Sequence, residues 1–379
     1  MSRPRSLFMF SDATAFGGAE AALLLILEHL DRDRWRPTLV YHPAEAVEQL
    51  ERRAAEAGAE LLPIPPLPLG IGGLQRVPAL TRLLRRERPD VFHAHLSWQL
   101  ACKFPLAAAV LARVPAVVAT VQLYIDAPLG ASSLVQLRAL GRGVGRYVAV
   151  SNDIARALQR DLRLADARVE VIHNAVDVTR FSAAPDRALR RTLTGDDRTP
   201  LVLTAARLHE QKGVDVLIEA VPGVPGACFA IAGDGPERGR LEQLVRDLGV
   251  EERVRFLGAR SDIPALLRAS DLFVLPSRYE GFPLALLEAM AAEVAVVATR
   301  IAGVDELVVD GQTGTLVEAG DSSALGTAIS SLLGDADRRQ ELATRGHELV
   351  LQRHGAEATT ARVTRVYEEL LSGTPAERR

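Results

Sequence analysis

Two short segments in the second half of the chain combine residue types that can hold an anion and a hydroxyl-bearing ligand. The first reads Ala205-Ala206-Arg207-Leu208-His209-Glu210-Gln211-Lys212-Gly213. It sets a guanidinium fork and an ammonium point charge on a loop that ends where a helix is expected, at 214–220. Two cations beside a helix N-terminus suit a diphosphate. The second reads Arg278-Tyr279-Glu280-Gly281-Phe282-Pro283-Leu284-Ala285-Leu286-Leu287-Glu288. Pro283 predicts the first residue of a helix, which leaves Glu280 in the preceding loop and Glu288 more than a turn inside. Gly281 and the residues after it then present free backbone N–H groups at a positive helix end, suited to anions and hydroxyl oxygens. Glu288 falls in the apolar frame of Leu284, Leu287 and Ala291, so it is expected to face inward, where a carboxylate needs a partner.

Three weaker signals accompany these. Gly17 and Gly18 stand in the loop from Ser11 to Glu20 and would let backbone approach a ligand closely. His93 and His95 alternate on one strand and share a face; buried, satisfied histidines are the first reading, since no third metal ligand sits at a suggestive spacing. Gly233-Asp234-Gly235-Pro236-Glu237-Arg238-Gly239 mimics a dinucleotide fingerprint, but its third glycine comes one residue late and it follows a second strand rather than opening a domain.

The elements that must position these residues are short apolar runs, each followed by a stretch of helical period. Strands are predicted at 7–10, 38–41, 60–64, 90–95, 116–121, 147–150 and 169–173, then at 201–204, 228–232, 254–257, 272–275, 295–298 and 315–317. Helical period marks 19–30, 78–88, 152–164, 336–354 and 356–371. Strands this short and apolar belong to parallel sheets covered on both faces. Two series in succession imply an α/β chain of two Rossmann-like domains, with the linker in the least patterned stretch, 174–200, which includes Pro185. Ligands of such sheets bind at the carboxyl ends of strands, where the loops just described lie.

The chain has 379 residues, 48% of them hydrophobic and 25% charged, with a net charge of −3. That balance argues against nucleic acid, whose phosphates select strongly basic surfaces. Cys102 and Cys228 stand far apart and read as reduced thiols of a cytoplasmic protein. The first apolar run is too brief for a signal peptide or a spanning helix. Residues 76–88 carry five arginines around Leu80, Leu83 and Leu84. They read first as a solvated basic helix and second as a weak peripheral contact with anionic lipid, at the inner face of the membrane.

In order and spacing these pieces resemble the retaining glycosyltransferases of family 4. The resemblance takes in Gly17-Gly18-Ala19-Glu20, Asp90-Val91-Phe92-His93-Ala94-His95, Val171-Ile172-His173-Asn174, Arg207 to Gly213, Phe256-Leu257-Gly258, the Glu280/Glu288 pair and Gly303-Val304-Asp305-Glu306. It implies the GT-B architecture of two facing Rossmann-like domains with a cleft between them. Residues 1–176 would bind the acceptor, with helix 356–371 packing back onto them, and 177–355 the nucleotide sugar. Arg207 and Lys212 would hold the donor diphosphate, Glu288 the ribose, and Glu280 with Gly281, Phe282, Pro283 and Leu284 the sugar. The backbone around Gly258, Arg260 and Asp262 would meet the base. Gly17 and Gly18 would approach the diphosphate, and His95 would lie beside the transferring sugar. The family needs no metal or other cofactor. Its usual glycine before the clamp arginine is Ala206 here, its glycine and proline are Glu293 and Ala295, and its glycine pair is Ala302-Gly303. These departures bear on donor identity, UDP- or GDP-linked.

The resemblance implies transfer of a sugar to an acceptor hydroxyl by front-face attack, with retained configuration. A phosphorylase or epimerase of the same fold and a non-catalytic nucleotide-sugar binder are the alternatives; a nicotinamide dehydrogenase would need the misplaced glycine run. Acceptor contacts are expected from 70–75 and 122–145, which carry no chemical code, so the acceptor stays unread, as does the oligomeric state.

Overall fold

The computed structural model describes residues 3–67, 70–125, 130–182 and 186–373. They form two compact units, one of Met1–Asn174 with Ala356–Arg379 and one of Ala175–Gly355.

The first unit alternates β1 (Arg5–Ser11), α1 (Gly18–Glu28), β2 (Trp35–Tyr41), α2 (Glu48–Glu56), β3 (Glu60–Pro63), α3 (Ile71–Glu87), β4 (Val91–Leu96), α4 (Lys103–Ala112), β5 (Ala116–Val121), α5 (Ala131–Gly143), β6 (Arg146–Ala149), α6 (Asn152–Leu162) and β7 (Val169–Val171). The second continues with α7 (Arg187–Thr194), β8 (Leu201–Ala205), α8 (Val214–Ala220), β9 (Cys228–Ala232), α9 (Arg238–Asp247), β10 (Val254–Gly258), α10 (Ile263–Ala269), β11 (Leu272–Leu275), α11 (Leu284–Ala291), β12 (Ala295–Thr299), β13 (Thr315–Val317), α12 (Ser322–Gly334) and α13 (Ala336–Arg353). Helix α14 (Ala356–Ser372) belongs to the first unit. The sheets run β3-β2-β1-β4-β5-β6-β7 and β10-β9-β8-β11-β12-β13. Every neighbouring pair is parallel. Strands β4, β5, β9, β11 and β12 are buried along their whole length, as sheets covered on both faces require.

Helix α14 docks by its apolar side. Val363, Val366 and Tyr367 join Leu7, Met9, Trp35 and Val91 in the first core. The Tyr367 ring meets Trp35 edge to face at 5.3 Å, and its hydroxyl lies 2.6 Å from His93 Nδ1.

Three local expectations are corrected. The helix predicted from Pro78 begins at Ile71, so Pro78 stands inside α3, and 71–75, read as an acceptor loop, are helical. Pro78 is tolerated because it lies on the exposed side of the helix. Pro283 is the N-cap of α11, with ψ 115, and Leu284 is its first residue. The stretch 174–200, read as a linker, holds a 3₁₀ turn (Val178–Phe181) and α7, both in contact with α10. Pro185 of that stretch, and 126–129 of the second acceptor stretch, lie outside the described residues.

Glu293, at the family's glycine position, is left-handed, with φ 57. It follows the C-cap of α11, where that conformation ends helices, and its Oε1 accepts from Gln340 Nε2 (3.1 Å) and Thr344 Oγ1 (3.0 Å) on α13. Replacement by glycine or alanine removes both bonds, but only alanine keeps a Cβ in the disfavoured conformation. Glu293→Gly should therefore be more stable than Glu293→Ala by about 1 kcal/mol, read from urea unfolding of the two variants side by side.

Candidate active site

In the second unit the strand order turns back between β8 and β11, so the loops that leave these adjacent strands emerge side by side. This is where open parallel sheets bind ligands. The two loops, 206–213 and 276–283, are fastened at several points. Arg278 N donates to Gln211 O (2.8 Å), and Gln211 Nε2 to Tyr279 O (3.0 Å). The Arg278 guanidinium donates to Glu210 O (2.7 Å) and bridges both Asp215 oxygens at 2.9 Å. Gly213, with φ 60, lies so near that a Cβ would fall 2.0 Å from Pro276 O; only glycine fits.

On this frame Lys212 Nζ meets Glu280 Oε1 at 2.6 Å. The Ser277 hydroxyl donates to the same oxygen at 2.7 Å, and Thr299 Oγ1, at the end of β12, donates to Ser277 O at 2.5 Å. The Glu280 side chain is 7% exposed and that of Lys212 23%, so the pair is shielded from much of the solvent screening that weakens surface pairs. Burial acts to raise the Asp215 carboxyl, but the Arg278 and Arg240 guanidinium groups outweigh it and hold it below the usual carboxylate range.

Arg207 is exposed, and its side chain has no partner among the described residues. Beside it Leu208 is buried and anchored by backbone: its N donates to Asp234 O (2.9 Å), and its carbonyl accepts from Glu237 N (3.1 Å). A Cβ on Gly235 would fall 2.3 Å from Leu208 O. The glycine run that mimicked a dinucleotide fingerprint therefore serves close packing under the Arg207 loop.

Ahead of α11, Gly281, Phe282 and Pro283 are buried, and the Phe282 ring lies 5.3 Å from that of His354. Leu284 and Glu288 are half-buried on the helix. Gly258 ends β10, and its carbonyl accepts from Gly233 N (2.7 Å). Arg260 folds onto Asp262, Nε to Oδ1 at 2.7 Å and Nη2 to Oδ2 at 2.5 Å, and that contact lowers the Asp262 carboxyl.

In the first unit the order turns back between β1 and β4. The loop after β1 is held from beneath by Glu20, which is 5% exposed. Its carboxylate accepts from Ser11 Oγ (3.1 Å) and Gly17 N (3.0 Å). Gly17 caps α1 and Gly18 begins it, both exposed. Asp12 Oδ2 accepts from Cys102 N (3.0 Å). His93 bonds Tyr367 and, through Nε2, Thr120 Oγ1 (2.7 Å), which leaves no lone pair for a metal. His95 is 1% exposed, its ring tilted 40° to that of His93 with centroids 4.3 Å apart, and among the described residues neither of its ring nitrogens is hydrogen-bonded. Burial pushes it down to about 3, so the ring is neutral. The ring is closed to solvent within its own unit.

The sequence reading assigned no role to Ser277, Thr299, Asp215 or Arg278. Arg278 was visible inside the motif, but its partner stands 63 positions away.

Residues 16–180 match the profile of Glycosyltransferase Family 4, and 186–349 that of Glycosyl transferases group 1. Over 262 residues the chain is 34% identical to a GDP-mannose-dependent alpha-(1-6)-phosphatidylinositol monomannoside mannosyltransferase of Mycolicibacterium smegmatis, covering 65% of this chain and 68% of that one. The chain belongs to the group 1 glycosyltransferases. It is also 37% identical over 207 residues to the lipopolysaccharide core biosynthesis glycosyltransferase LpsE of Rhizobium meliloti, matching 55% of its own length and spanning 58% of that relative's. Its fold is that of GT-B enzymes. Anabaena HepE, solved in complex with UDP and glucose, superposes with a TM-score of 0.85 at 24% identity, covering 96% of this chain and 100% of that one.

The Asp215 pair has a pH signature. A carboxyl depressed by folding adds stability above its unfolded value, near pH 4, and loses it as pH falls toward the lower folded value. Asp215→Asn should thus be clearly less stable than wild type at pH 7, with the gap narrowing as pH falls below about 4. Urea midpoints across that range check it; a gap independent of pH would deny the pair this role.

Proposed function

We propose that this glycosyltransferase moves a hexose from a UDP- or GDP-linked donor to a hydroxyl of its acceptor with retention of configuration. The observation that carries the reading is the Lys212–Glu280 contact at the turning point of the second sheet, with Arg207 exposed on the same loop. As the glycosidic bond breaks, negative charge grows on the leaving diphosphate. Arg207 and Lys212 oppose that charge and act mainly on the transition state. Glu280 and the backbone through Leu284 take the sugar, Glu288 the ribose, and the segment from Gly258 to Asp262 the base. Gly17 and Gly18 bring first-unit backbone to the diphosphate. Relatives named for GDP-mannose and solved with UDP support a nucleoside diphosphate donor.

Two further features favour front-face attack without a covalent sugar–enzyme intermediate. Glu280 and Glu288 belong to one loop–helix element, whereas double displacement needs a carboxylate on the opposite face of the sugar. Asp12, the candidate carboxylate on the loop after β1, has one oxygen committed to Cys102 N. Lys212→Ala and Arg207→Ala should each cost on the order of a hundredfold in turnover while both variants still fold, measured as nucleotide release against a donor and acceptor panel. Proton NMR of the product from an α-linked donor should show an α-linkage; a β-linkage would sink the reading.

We further propose that the protein acts in the cytoplasm, in weak peripheral contact with the membrane. Among the described residues no helix is long and apolar enough to cross a membrane. On α3, Ile71 and Leu74 are 76% and 60% exposed, and Pro78, Arg82 and Arg85 follow on the same side at helical spacing. An apolar tip with basic residues behind it suits an anionic headgroup layer. The protein should sediment with phosphatidylglycerol vesicles and not with phosphatidylcholine vesicles, and Arg82→Glu with Arg85→Glu should abolish this.

A further inference from the structure

Lys212 does not wait as a free cation. Its ammonium lies 2.6 Å from Glu280 Oε1, between side chains that are 23% and 7% exposed. The carboxylate is not free to swing aside. The Ser277 hydroxyl donates to the same oxygen, Ser277 is fully buried, and Thr299 holds its carbonyl. Among the described residues Oε2 carries no hydrogen bond, so one oxygen of Glu280 belongs to the protein and the other is open.

A diphosphate that uses Lys212 must share the ammonium with this fixed anion. Two anions on one cation repel each other, and the mostly buried setting screens that repulsion poorly. A donor sugar changes the balance, because a hydroxyl donating to Oε2 gains a charge-assisted hydrogen bond. A nucleoside diphosphate without its sugar meets the repulsion and has no such bond.

We propose that Glu280 discriminates between the charged donor and the spent nucleotide, weakening the diphosphate product so that it leaves. The inference rests on the donor assignment above and adds to it a role in product release.

Calorimetry with UDP, GDP, UDP-glucose and GDP-mannose tests it on wild type, Glu280→Gln and Glu280→Ala. The glutamine is isosteric and can keep the Ser277 hydrogen bond, and unfolding midpoints verify that each variant is folded. Both variants should bind the preferred nucleoside diphosphate roughly threefold to tenfold more tightly than wild type, since a like charge beside the phosphate is gone. They should bind the matching sugar nucleotide more weakly, and product inhibition should strengthen in step. Unchanged or weaker diphosphate binding in both variants, with a wild type that binds it, overturns the discriminator role and leaves the donor assignment standing. A wild type that binds neither UDP nor GDP overturns the donor assignment, and this inference with it.

Discussion

The turning back of strand order between β8 and β11 is the constraint on which the rest of the second unit depends. Parallel strands bury both faces, so polar chemistry is confined to their carboxyl ends, and adjacent strands whose connections run in opposite directions leave two loops side by side. Such loops do not come with a fixed spacing. Here it is imposed by backbone bonds between Gln211 and the 278–279 segment, by the contact of Gly213 with Pro276, and by the fork of Arg278 across Asp215. The Lys212–Glu280 distance is a product of those fastenings.

Electrostatics then sorts the charges. Arg278, Lys212 and Arg207 are neighbours in the folded unit, yet each has a different employment. Arg278 is neutralised by Asp215 and braces the loops. Lys212 is shared with Glu280. Arg207 is exposed and its side chain has no partner among the described residues. Composition shows three cations and cannot rank them.

The first unit manages its polar interior by a different route. His93, Thr120 and Tyr367 close a small network in which every partner is satisfied, and the tyrosine arrives from α14 at the other end of the chain. Glu20 uses both carboxylate oxygens to hold the two ends of the loop after β1. His95, two residues along the same strand, is excluded from the network. Alternation puts the two rings on one face and leaves only one of them within reach of Tyr367 and Thr120.

By itself the sequence determined the class of fold and singled out the loops at the carboxyl ends of its strands. All thirteen expected strands occur with ends within two or three residues: the central ones, buried on both faces, must be continuous apolar runs, a local property, and the more exposed β3, β7 and β10 continue the same alternation with helices. Arg207, Lys212 and Glu280 were legible for a similar reason, since loops after such strands are where charged and small residues stand out, and Glu288 because a carboxylate interrupts the apolar frame of its helix. Helix limits were less legible, as at Pro78, where an exposed face tolerated a residue that local propensity reads as a start. Only the tertiary structure decided partners. It joined Lys212 to Glu280 across 68 positions, Arg278 to Asp215 across 63 and His93 to Tyr367 across 274. It also turned the second glycine run into a packing surface and closed His95 from solvent. These outcomes depend on strand order and on which backbone lies against which, and neither leaves a trace in the spacing of residues along a single segment.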